Sequence, residues 1–227
     1  MLKVNDKTMI DLIEHRIALS TPERLTPHTY WQEHIPFAMY LISALRPGVL
    51  VELGTHWGDS YSAFCQAVKA LGLKTLCYAV DNWQGDIHTG EYGEEVLADL
   101  RAHHDARYGS FSLLLRSDFA AACPQFRDGS IDLLHIDGTH THEAVKRDFE
   151  MWLPKMSPRG VVLLHDTNVV RENFGVKQFF EEIKVGYPHF EFLHCYGLGV
   201  LGAGSECPDE VLALFSLNEK DIEAVRD

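Results

Sequence analysis

Short apolar runs separated by helix-like stretches dominate the middle of the chain. Short runs of mostly apolar and β-branched residues, three to six positions long, predict strands that are buried on both faces. Such runs lie at 49–51, where a strand begins, and at 75–80, 111–115, 131–136, 161–164, 190–195 and 199–201. Strands that alternate with helices predict an α/β fold with a mostly parallel sheet, helices on both faces and an antiparallel C-terminal strand.

Helical periodicity fills the intervals between these strands. The predicted helices cover 6–19, 28–45, 60–71, 86–107, 142–153 and 176–184, and an amphipathic stretch covers 208–227. We therefore expect an N-terminal helical cap over 1–46, a central domain over 47–204 and a C-terminal helical extension over 205–227. The extension stops without a helix cap, which is compatible with a chain cut from a longer protein.

The turn after the first strand carries the first candidate chemistry. The sequence from Val49 to Ser60 is VLVELGTHWGDS, so Glu52, Gly54 and Gly58 stand between a strand and a helix. A turn of this kind lets backbone N–H groups and a helix N-terminus approach a nucleotide-like ligand closely. The spacing differs from the dinucleotide pattern G-x-G-x-x-G, because His56 occupies the place of the middle glycine.

Polar residues also follow the second and third predicted strands. Asp81 ends the second strand, where doubly wound folds place the carboxylate that holds a ribose diol; the alternative is a turn-forming Asp-Asn pair with Asn82. Ser117 and Asp118 follow the third strand and could meet an adenine edge. Asp118 could equally be the N-cap of a short helix.

The fourth and fifth strands end in acids that are expected to share one rim of the sheet. Asp137 follows the fourth strand, and His165-Asp166 follow the fifth. Two carboxylates facing one cleft repel each other unless a cation lies between them. A hard divalent ion held by Asp137, Asp166 and His165 is therefore predicted. The alternative is that Asp166 caps a turn and His165 packs on a face of the sheet.

His140 is the candidate general base. It lies three residues after Asp137, on the loop rather than in the strand. A hydroxyl nucleophile needs a proton acceptor within hydrogen-bond reach, and imidazole has an unperturbed pKa near neutrality. His142 begins a helix and His135 lies within a strand, so both suit the role less well. The alternative is a purely structural histidine.

Composition narrows the class of partner. The chain has 33 acidic and 20 basic residues and a formal charge of −13, which argues against nucleic acid, since binding a polyanion needs clustered Lys and Arg. A neutral or cationic small molecule or an uncharged sugar chain fits better. No apolar run approaches the roughly 20 residues that span a bilayer, and the N-terminus lacks a signal-peptide layout, which predicts a cytoplasmic protein. Five cysteines without a C-x-x-C pair predict reduced thiols.

Taken together, the motifs resemble a known enzyme family. ELGTHWGDS, AVDNW, RSDFA and LLHIDGTHTHEAVKRDFEMWLPKMSPRGVVLLHDT look like bacterial class I S-adenosylmethionine (SAM)-dependent methyltransferases over roughly 49–202. Within that class, the chain looks like the group with I-D-G-x-H and H-D-T motifs that is often associated with O-methylation of sugars in macrolides and cell-surface polysaccharides. The resemblance implies a Rossmann-like fold and SAM as the cofactor.

The resemblance also assigns roles to individual residues. Relatives that use magnesium place a metal-binding Asp at the position of Asp137 and a base at the position of His140. His165 and Thr167 depart from the oxygen ligands that are usual in those relatives. The resemblance implies that Glu52 and Gly54 lie near the amino-acid part of SAM. The candidate cofactor-binding residues are Glu52, Gly54, Gly58, Ser60, Asp81, Trp83, Ser117, Asp118 and Asp137.

The sequence therefore predicts a SAM-dependent O-methyltransferase that acts on a hydroxyl of a sugar or cell-surface polysaccharide, with Mg²⁺ as the expected metal. The segments 84–92 and 169–175 are expected to line its acceptor pocket. A homo-oligomer, and fusion to or association with a glycosyltransferase, are compatible with the sequence. Three alternatives stay open: a small-molecule O-methyltransferase, a SAM-binding or interaction module without catalysis, and an oxidative enzyme like the cephalosporin hydroxylase group.

Overall fold

The computed structural model of the protein describes residues 14–226. Within this range seven strands form one sheet in the order β5-β2-β1-β6-β7-β9-β8, beside a separate two-stranded hairpin. The strands are β1 (Val49–Leu53), β2 (Leu76–Asp81), β3 (Gly85–Asp86), β4 (Gly90–Glu91), β5 (Ser112–Arg116), β6 (Ile131–Ile136), β7 (Met156–His165), β8 (His189–Phe192) and β9 (Leu198–Gly202). Strands β5, β2, β1, β6 and β7 are parallel, whereas β9 runs antiparallel to β7 and β8. The predicted α/β fold with an antiparallel C-terminal end is confirmed.

Helices cover both faces of this sheet. They are α1 (Ile35–Leu45), α2 (Asp59–Ala70), α3 (Glu94–Tyr108), α4 (Phe119–Ala122), α5 (His142–Trp152), α6 (Val176–Ile183), α7 (Asp209–Phe215) and α8 (Glu219–Arg226). Successive side chains of a strand point to opposite faces, and the core divides accordingly. Leu50 packs in the cluster that contains α1 and α2, whereas Val51 packs in the cluster that contains α5 and α6. This two-sided burial explains why the central strands are mostly apolar.

The strand order places a topological switch point at the centre of the sheet. From β1 the chain proceeds outward through β2 and β5, and it then returns to place β6 and β7 on the other side of β1. Ligands of open α/β sheets bind in the crevice outside the carboxyl ends of the strands at such a point. The candidate residues after β1, β2, β6 and β7 therefore lie around one crevice.

The predicted helix over 86–107 is wrong in its first third. Residues 85–91 form the hairpin β3–β4, and α3 begins only at Glu94. Gly85 has φ +80°, and a Cβ there would lie 1.9 Å from the carbonyl oxygen of Gly90, so the two chains of the hairpin approach each other more closely than a side chain permits. Apolar periodicity cannot reveal a close approach of this kind.

The N-terminal helices also differ from the prediction. The predicted helix over 28–45 consists of a 3₁₀ stretch, Thr29–His34, followed by α1, which has Pro36 in its first turn. The predicted helix over 6–19 falls largely outside the described residues, within which Arg16–Leu19 is a 3₁₀ turn. The predicted domain boundaries stay predictions. No helix in the described part of the chain is long and apolar enough to cross a membrane.

Candidate functional site

The ends of β6 and β7 bring the predicted acids together. The two strands pair in parallel with Ile136 opposite Leu164, so Asp137 and His165 lie side by side where the strands end. Asp166 follows with φ +67°, a left-handed conformation that turns the chain after the strand. The side chain of Asp166 consequently reaches the same cleft as its neighbour His165, which a regular strand would direct to the opposite face.

Two carboxylates and two imidazole rings form a compact cluster at this rim, which we call the inner cluster (Asp137, His140, His165 and Asp166). His140 Nε2 lies 2.9 Å from Asp166 Oδ2 and 3.4 Å from Asp137 Oδ1. His165 Nδ1 lies 3.3 Å from Asp137 Oδ1 and 3.5 Å from Asp166 Oδ2. The exposed fraction of these side chains ranges from 4% to 22%, so the charges interact in a largely desolvated site. The structure thus brings together all four residues that the sequence nominated for catalysis and metal binding.

The inner cluster shifts the pKa values of its members in opposite directions. Burial, the largest single influence, would raise the pKa of both carboxyl groups. The charge of His165 and the hydrogen bonds from His140 and His165 together outweigh it, holding the pKa of Asp137 well below its usual value and lowering that of Asp166 to about 2. Burial alone would lower the pKa of the imidazoles, but the two carboxylates raise the pKa of His165 well above its usual value and that of His140 to about 10. At neutral pH the cluster therefore holds two ion pairs.

A strained segment on the β8–β9 connection supports the inner cluster. Cys195 (φ +43°) and Tyr196 (φ +68°) are left-handed, as is Gly197 after them. The carbonyl oxygen of Cys195 accepts from His165 Nε2 at 3.0 Å, and that of Gly197 accepts from the backbone N–H of Asp166 at 3.0 Å. Strained backbone persists where the surroundings over-determine it. The segment therefore orients His165 and Asp166, and nothing in the hydrophobic pattern marked it.

His34 packs behind the inner cluster as a buried, uncharged histidine. Its Nε2 lies 3.3 Å from the carbonyl oxygen of Cys195, and its ring lies 4.6 Å from that of His194. Burial, followed by the charges of His165 and His194, lowers the pKa of His34 to about 3. The folded protein therefore keeps this ring neutral over a pH range in which the unfolded chain protonates it.

We expect His34 to make the fold sensitive to mild acid. The unfolded chain binds a proton at His34 below a pKa of about 6.5, whereas the folded chain does not bind it until about pH 3. The free energy of unfolding therefore decreases as the pH is lowered. Between pH 7 and pH 5 this loss is about 2 kcal/mol. The free energy of unfolding in urea, measured at pH 7 and at pH 5, should decrease by about 2 kcal/mol less in His34→Phe than in the wild type. Parallel pH dependence of the two proteins would contradict the assignment.

The glycine-rich turn after β1 makes close backbone contact with the end of β6. Gly54 has φ +85°, and a Cβ on it would lie 2.1 Å from the carbonyl oxygen of Asp137. Gly58 has φ +79° and occupies the N-cap position of α2, so the turn leads directly into the N-terminus of that helix. Glycine is required at Gly54 by both its conformation and its lack of a side chain.

Asp81 ties this turn to the end of β2. Its Oδ2 accepts from the backbone N–H groups of Thr55 at 2.8 Å and His56 at 2.9 Å, and its Oδ1 accepts from that of Trp83 at 2.6 Å. Trp83 is fully buried and donates its indole N–H to the carbonyl oxygen of His56. Asp81 and Trp83 thus organise the turn, and their predicted contact with a cofactor stays a prediction.

Ser117 and Asp118 lie at the end of β5, beside β2. The backbone N–H of Ser117 donates to the carbonyl oxygen of Asp81 at 3.0 Å. Asp118 occupies the N-cap position of α4, but its carboxylate accepts from the Asn82 side chain at 3.1 Å and makes no cap hydrogen bond. Both residues remain predictions for an adenine contact.

Glu52 is buried below the turn. Its Oε2 accepts from Ser60 Oγ at 2.8 Å and from His135 Nδ1 at 2.8 Å, while His135 Nε2 accepts from the indole N–H of Trp31 at 3.3 Å. The tryptophan therefore sets the tautomer that lets His135 donate to the acid. Burial raises the pKa of Glu52. His135 is a core residue, as its place in the strand predicted.

We expect His135→Leu to destabilise the protein by about 3 kcal/mol. The variant removes a donor from Glu52 and an acceptor from Trp31, both of which are buried, and unsatisfied buried polar groups are costly. The free energy of unfolding in urea is the measurement. The matched control is His189→Leu, at an exposed strand position. Equal stability of the two variants would show that the buried hydrogen bonds contribute nothing.

The hairpin β3–β4 supplies residues that the sequence did not single out. Asp86, His88 and His140 each offer a ligand atom within 4.8 Å of the others, and we call these three residues the outer cluster. The ring of Phe174 stacks on His140 with centroids 4.9 Å apart and meets the ring of His88 edge-on at 4.4 Å. The segments 84–92 and 169–175, which were expected to line the acceptor pocket, thus meet at the histidine. The spacing D-x-H in the hairpin was the only available signal.

Comparisons with known proteins were consistent with this architecture. A family model described as a methyltransferase domain matches residues 51–167. A protein of Sinorhizobium fredii (strain NBRC 101917 / NGR234), named Uncharacterized protein y4gI, is 49% identical over 198 residues, which is 87% of this chain. The chain spans 22% of the length of that relative.

Solved structures of methyltransferases share the fold. The O-methyltransferase TomG from Streptomyces achromogenes, involved in tomaymycin synthesis and crystallised in complex with SAM, is 14% identical with a TM-score of 0.56, covering 88% of this chain and 100% of its own. The SAH-bound methyltransferase PaMTH1 from Podospora anserina is 13% identical with a TM-score of 0.55, covering 88% of this chain and 97% of its own. At these identities the similarity shows a shared fold.

Proposed function

The chain belongs to the methyltransferase domain family, which its residues 51–167 match, and on this premise we propose that it transfers the methyl group of SAM to a hydroxyl group. The observation that carries the proposal is the position of His140. Its ring contacts Asp137 and Asp166 at the switch point of the sheet, and Asp137 also touches the glycine-rich turn at Gly54. A base and the expected cofactor turn thus meet at one crevice. The SAM complex of TomG, an O-methyltransferase of the same fold, supports both the cofactor and the reaction.

The residues around the turn fit a polar ligand such as SAM. Two buried oxygens beside it, Glu52 Oε1 and Thr55 Oγ1, have no hydrogen-bond partner within residues 14–226. Orphaned buried polar atoms indicate a missing polar partner, and the amino group of SAM is a suitable donor. When bound, SAM supplies a methyl group on a positively charged sulfur. We propose that the Gly54–Gly58 turn holds its amino-acid part and that Asp81 holds its ribose.

His140 is the proposed general base, acting through Nδ1. Its Nε2 donates to Asp166 at 2.9 Å, which fixes the ring, and its Nδ1 is buried without a hydrogen-bond partner among the described residues. A carboxylate that orients an imidazole through one nitrogen leaves the other nitrogen to accept a proton. His140 Nδ1 would take the proton of the acceptor hydroxyl as that oxygen attacks the methyl carbon in line. The main task of the protein is to hold this geometry.

A divalent cation at Asp137, Asp166 and His165 belongs to the same proposal. A pKa of about 10 makes His140 an imidazolium at neutral pH, and an imidazolium accepts no proton. When bound, a divalent cation neutralises the two carboxylates and so brings the pKa of His140 down toward neutrality. Two carboxylates suit Mg²⁺ or Mn²⁺, and Asp137 and Asp166 each offer a ligand atom within 4.8 Å of the other and of His140. His165 is the proposed third ligand, and its Nδ1 lies 3.3 Å from Asp137 Oδ1.

We expect exhaustive chelation to lower turnover at neutral pH at least tenfold, with recovery on adding Mg²⁺ or Mn²⁺. The physical reason is the protonated state of His140 when the carboxylates carry their full charge. Initial rates before and after treatment with a chelator, and after readdition of the metal, provide the measurement. Asp166→Asn provides the comparison, because this variant lacks one of the three proposed metal ligands. Full activity of the chelated wild type would remove the cation from the proposal.

A sugar hydroxyl is the proposed acceptor. The formal charge of −13 disfavours anionic acceptors, and Tyr30 and Tyr196 form an exposed edge-to-face pair with ring centroids 5.7 Å apart. Tyr196 adjoins Cys195, whose carbonyl oxygen accepts from His165, so the pair lies close to the inner cluster. Exposed aromatic rings suit the apolar face of a sugar ring. A small-molecule hydroxyl is the second candidate, since TomG is involved in tomaymycin synthesis.

The wider setting of the domain is part of the same proposal. The Sinorhizobium relative extends far beyond the matched residues, since this chain spans 22% of it. That difference in length supports the proposal that this domain acts beside other domains, as a domain of the relative would. A glycosyltransferase is the class of enzyme that would share a sugar acceptor. A cytoplasmic location and a homo-oligomer stay predictions.

Two measurements test the proposed function in sequence. Calorimetry with SAM should show one binding site per chain, and absence of binding would remove the proposal. Incubation with SAM carrying a labelled methyl group should then label a cell-surface glycan fraction. Label in catechols or other small hydroxyl compounds alone would favour the second candidate. Binding of SAM without transfer to any acceptor would favour a non-catalytic module.

A further inference from the structure

We propose that the outer cluster of Asp86, His88 and His140 is a binding site for a divalent cation of the zinc class, separate from the inner carboxylates. One ligand atom from each residue lies within 4.8 Å of the others. Two imidazoles and one carboxylate are a donor set that suits Zn²⁺, Co²⁺ or Fe²⁺ better than Mg²⁺. The site joins the hairpin β3–β4 to the loop after β6.

His88 is oriented as a ligand by a backbone carbonyl. Its Nε2 donates to the carbonyl oxygen of Asn173 at 3.2 Å, so its lone pair is on Nδ1. That Nδ1 is buried and has no hydrogen-bond partner in the described part of the chain. Histidines that ligate metals characteristically donate their other N–H to a carbonyl or carboxylate, which fixes the tautomer. His88 shows this arrangement: its Nε2 is paired with a carbonyl oxygen, and its Nδ1 is left available to a ligand.

His140 shows the same arrangement from the other side. Its Nε2 donates to Asp166 at 2.9 Å, and its Nδ1 is likewise buried and unpartnered among residues 14–226. The rings of His88 and His140 are 5.2 Å apart between centroids. Two buried nitrogens without donors, next to each other and beside a carboxylate, are explained by a shared cation.

Asp86 is held in place by its own hairpin. Its Oδ1 accepts from the backbone N–H groups of His88 at 2.8 Å and Thr89 at 2.9 Å. Metal-binding carboxylates are commonly hydrogen-bonded in this way, which limits their movement. Phe174 lies against both imidazoles and keeps water from one side of the cluster. Three protein ligands leave at least one coordination position open.

Occupancy of this site should inhibit methyl transfer, a consequence that rests on the proposed function. The cation would bind His140 Nδ1, the nitrogen that the proposed mechanism gives to the proton of the acceptor hydroxyl. It would also fasten the hairpin to the loop after β6. Excess zinc-class cation is therefore expected to act as a reversible inhibitor, although the binding site itself does not depend on which reaction the protein catalyses.

A cobalt titration of the intact chain tests the site directly. In excess Mg²⁺, which suits the inner carboxylates, the wild type should bind Co²⁺ with visible absorption bands from nitrogen and oxygen ligands. His88→Ala should weaken this binding roughly 100-fold, and His88→Gln should do the same while keeping a polar side chain in the hairpin. The matched control is His142→Ala, two residues from His140 and paired with Glu182, which should bind Co²⁺ like the wild type.

The outcomes separate the site from the proposed function. Unchanged Co²⁺ affinity and spectra in both His88 variants would overturn the proposal, provided that their thermal unfolding matches the wild type. If the site exists and His140 is the base, Zn²⁺ should inhibit the wild type at concentrations that do not further lower the turnover of His88→Gln, whatever the turnover of that variant without Zn²⁺. Co²⁺ binding that depends on His88, without any inhibition by Zn²⁺, would keep the site and contradict the role of His140.

Discussion

Replacing His140 by alanine is expected to lower turnover roughly 100-fold or more while leaving the affinity for SAM unchanged. The imidazole is the proton acceptor in the proposed mechanism, and its contacts are to Asp137, Asp166 and the outer cluster rather than to the glycine-rich turn. Removing it should therefore affect the reacting hydroxyl and not the cofactor. Initial rates with labelled SAM and calorimetry with SAM measure the two quantities separately.

The control for this variant is His142→Ala. His142 lies two residues further on, begins α5 and pairs with Glu182 on the surface, so its loss should leave turnover within about twofold of the wild type. The turnover of Asp166→Asn should lie between those of His140→Ala and His142→Ala, because the amide oxygen still accepts from His140 Nε2 but carries no charge. Turnover that is unchanged in His140→Ala would remove the histidine from the base role.

Replacing Gly54 by alanine is expected to abolish SAM binding and to destabilise the fold strongly. The new Cβ would lie 2.1 Å from the carbonyl oxygen of Asp137, which is backbone and cannot rotate away. Either the turn or the end of β6 must move, and both form the proposed crevice. Calorimetry with SAM, together with the free energy of unfolding in urea, measures the two effects.

Gly72→Ala separates the close contact from the cost of the backbone conformation. Gly72 also has a positive φ, +60°, but a Cβ there meets no atom within 4 Å. Its replacement should cost about 1–2 kcal/mol, the penalty of a left-handed alanine alone. Gly54→Ala should lose several kcal/mol more. If the two variants were equally stable and Gly54→Ala still bound SAM, the close approach of the turn to Asp137 would be unimportant.

His140→Ala and Gly54→Ala both act at the end of β6, because Asp137 connects the turn to the histidine. Its carbonyl oxygen meets Gly54, and its carboxylate meets His140 and His165. The end of β6 therefore couples cofactor geometry to the state of the base. A small displacement there would be expected to lower both SAM affinity and turnover, which is why the effect of Gly54→Ala should exceed that of a simple loss of stability.

The inner cluster could be predicted from the sequence because its members follow strands. The run from Ile131 to Ile136 is mostly apolar and predicts a buried strand, so the first residue after it, Asp137, lies at the rim of the sheet. The same argument places His165 and Asp166. Parallel strands end at one edge, so sequence-distant acids meet there without any knowledge of side-chain positions.

The supporting residues could not be predicted in this way. Cys195 and Tyr196 orient His165 and the following loop through backbone carbonyls, which every residue type possesses. The hairpin around Gly85 was predicted as helix because the acidic and apolar residues after it have helical spacing. Asp86 and His88 were therefore placed on the wrong element. Segment 84–92 was expected to line the acceptor pocket, but the approach of these two side chains to His140 was not predicted.

By itself the sequence predicted most of the strands and helices and the rim at which the acids gather, because burial of apolar runs dictates these locally. The family of enzyme came from the resemblance of its motifs. Only the tertiary structure decided which polar atoms meet: that Gly54 touches Asp137, that His34 stays neutral, and that His140 stands between two clusters. Those contacts join segments far apart in the chain, and their energies depend on distances of a few tenths of an ångström that hydrophobic periodicity does not encode.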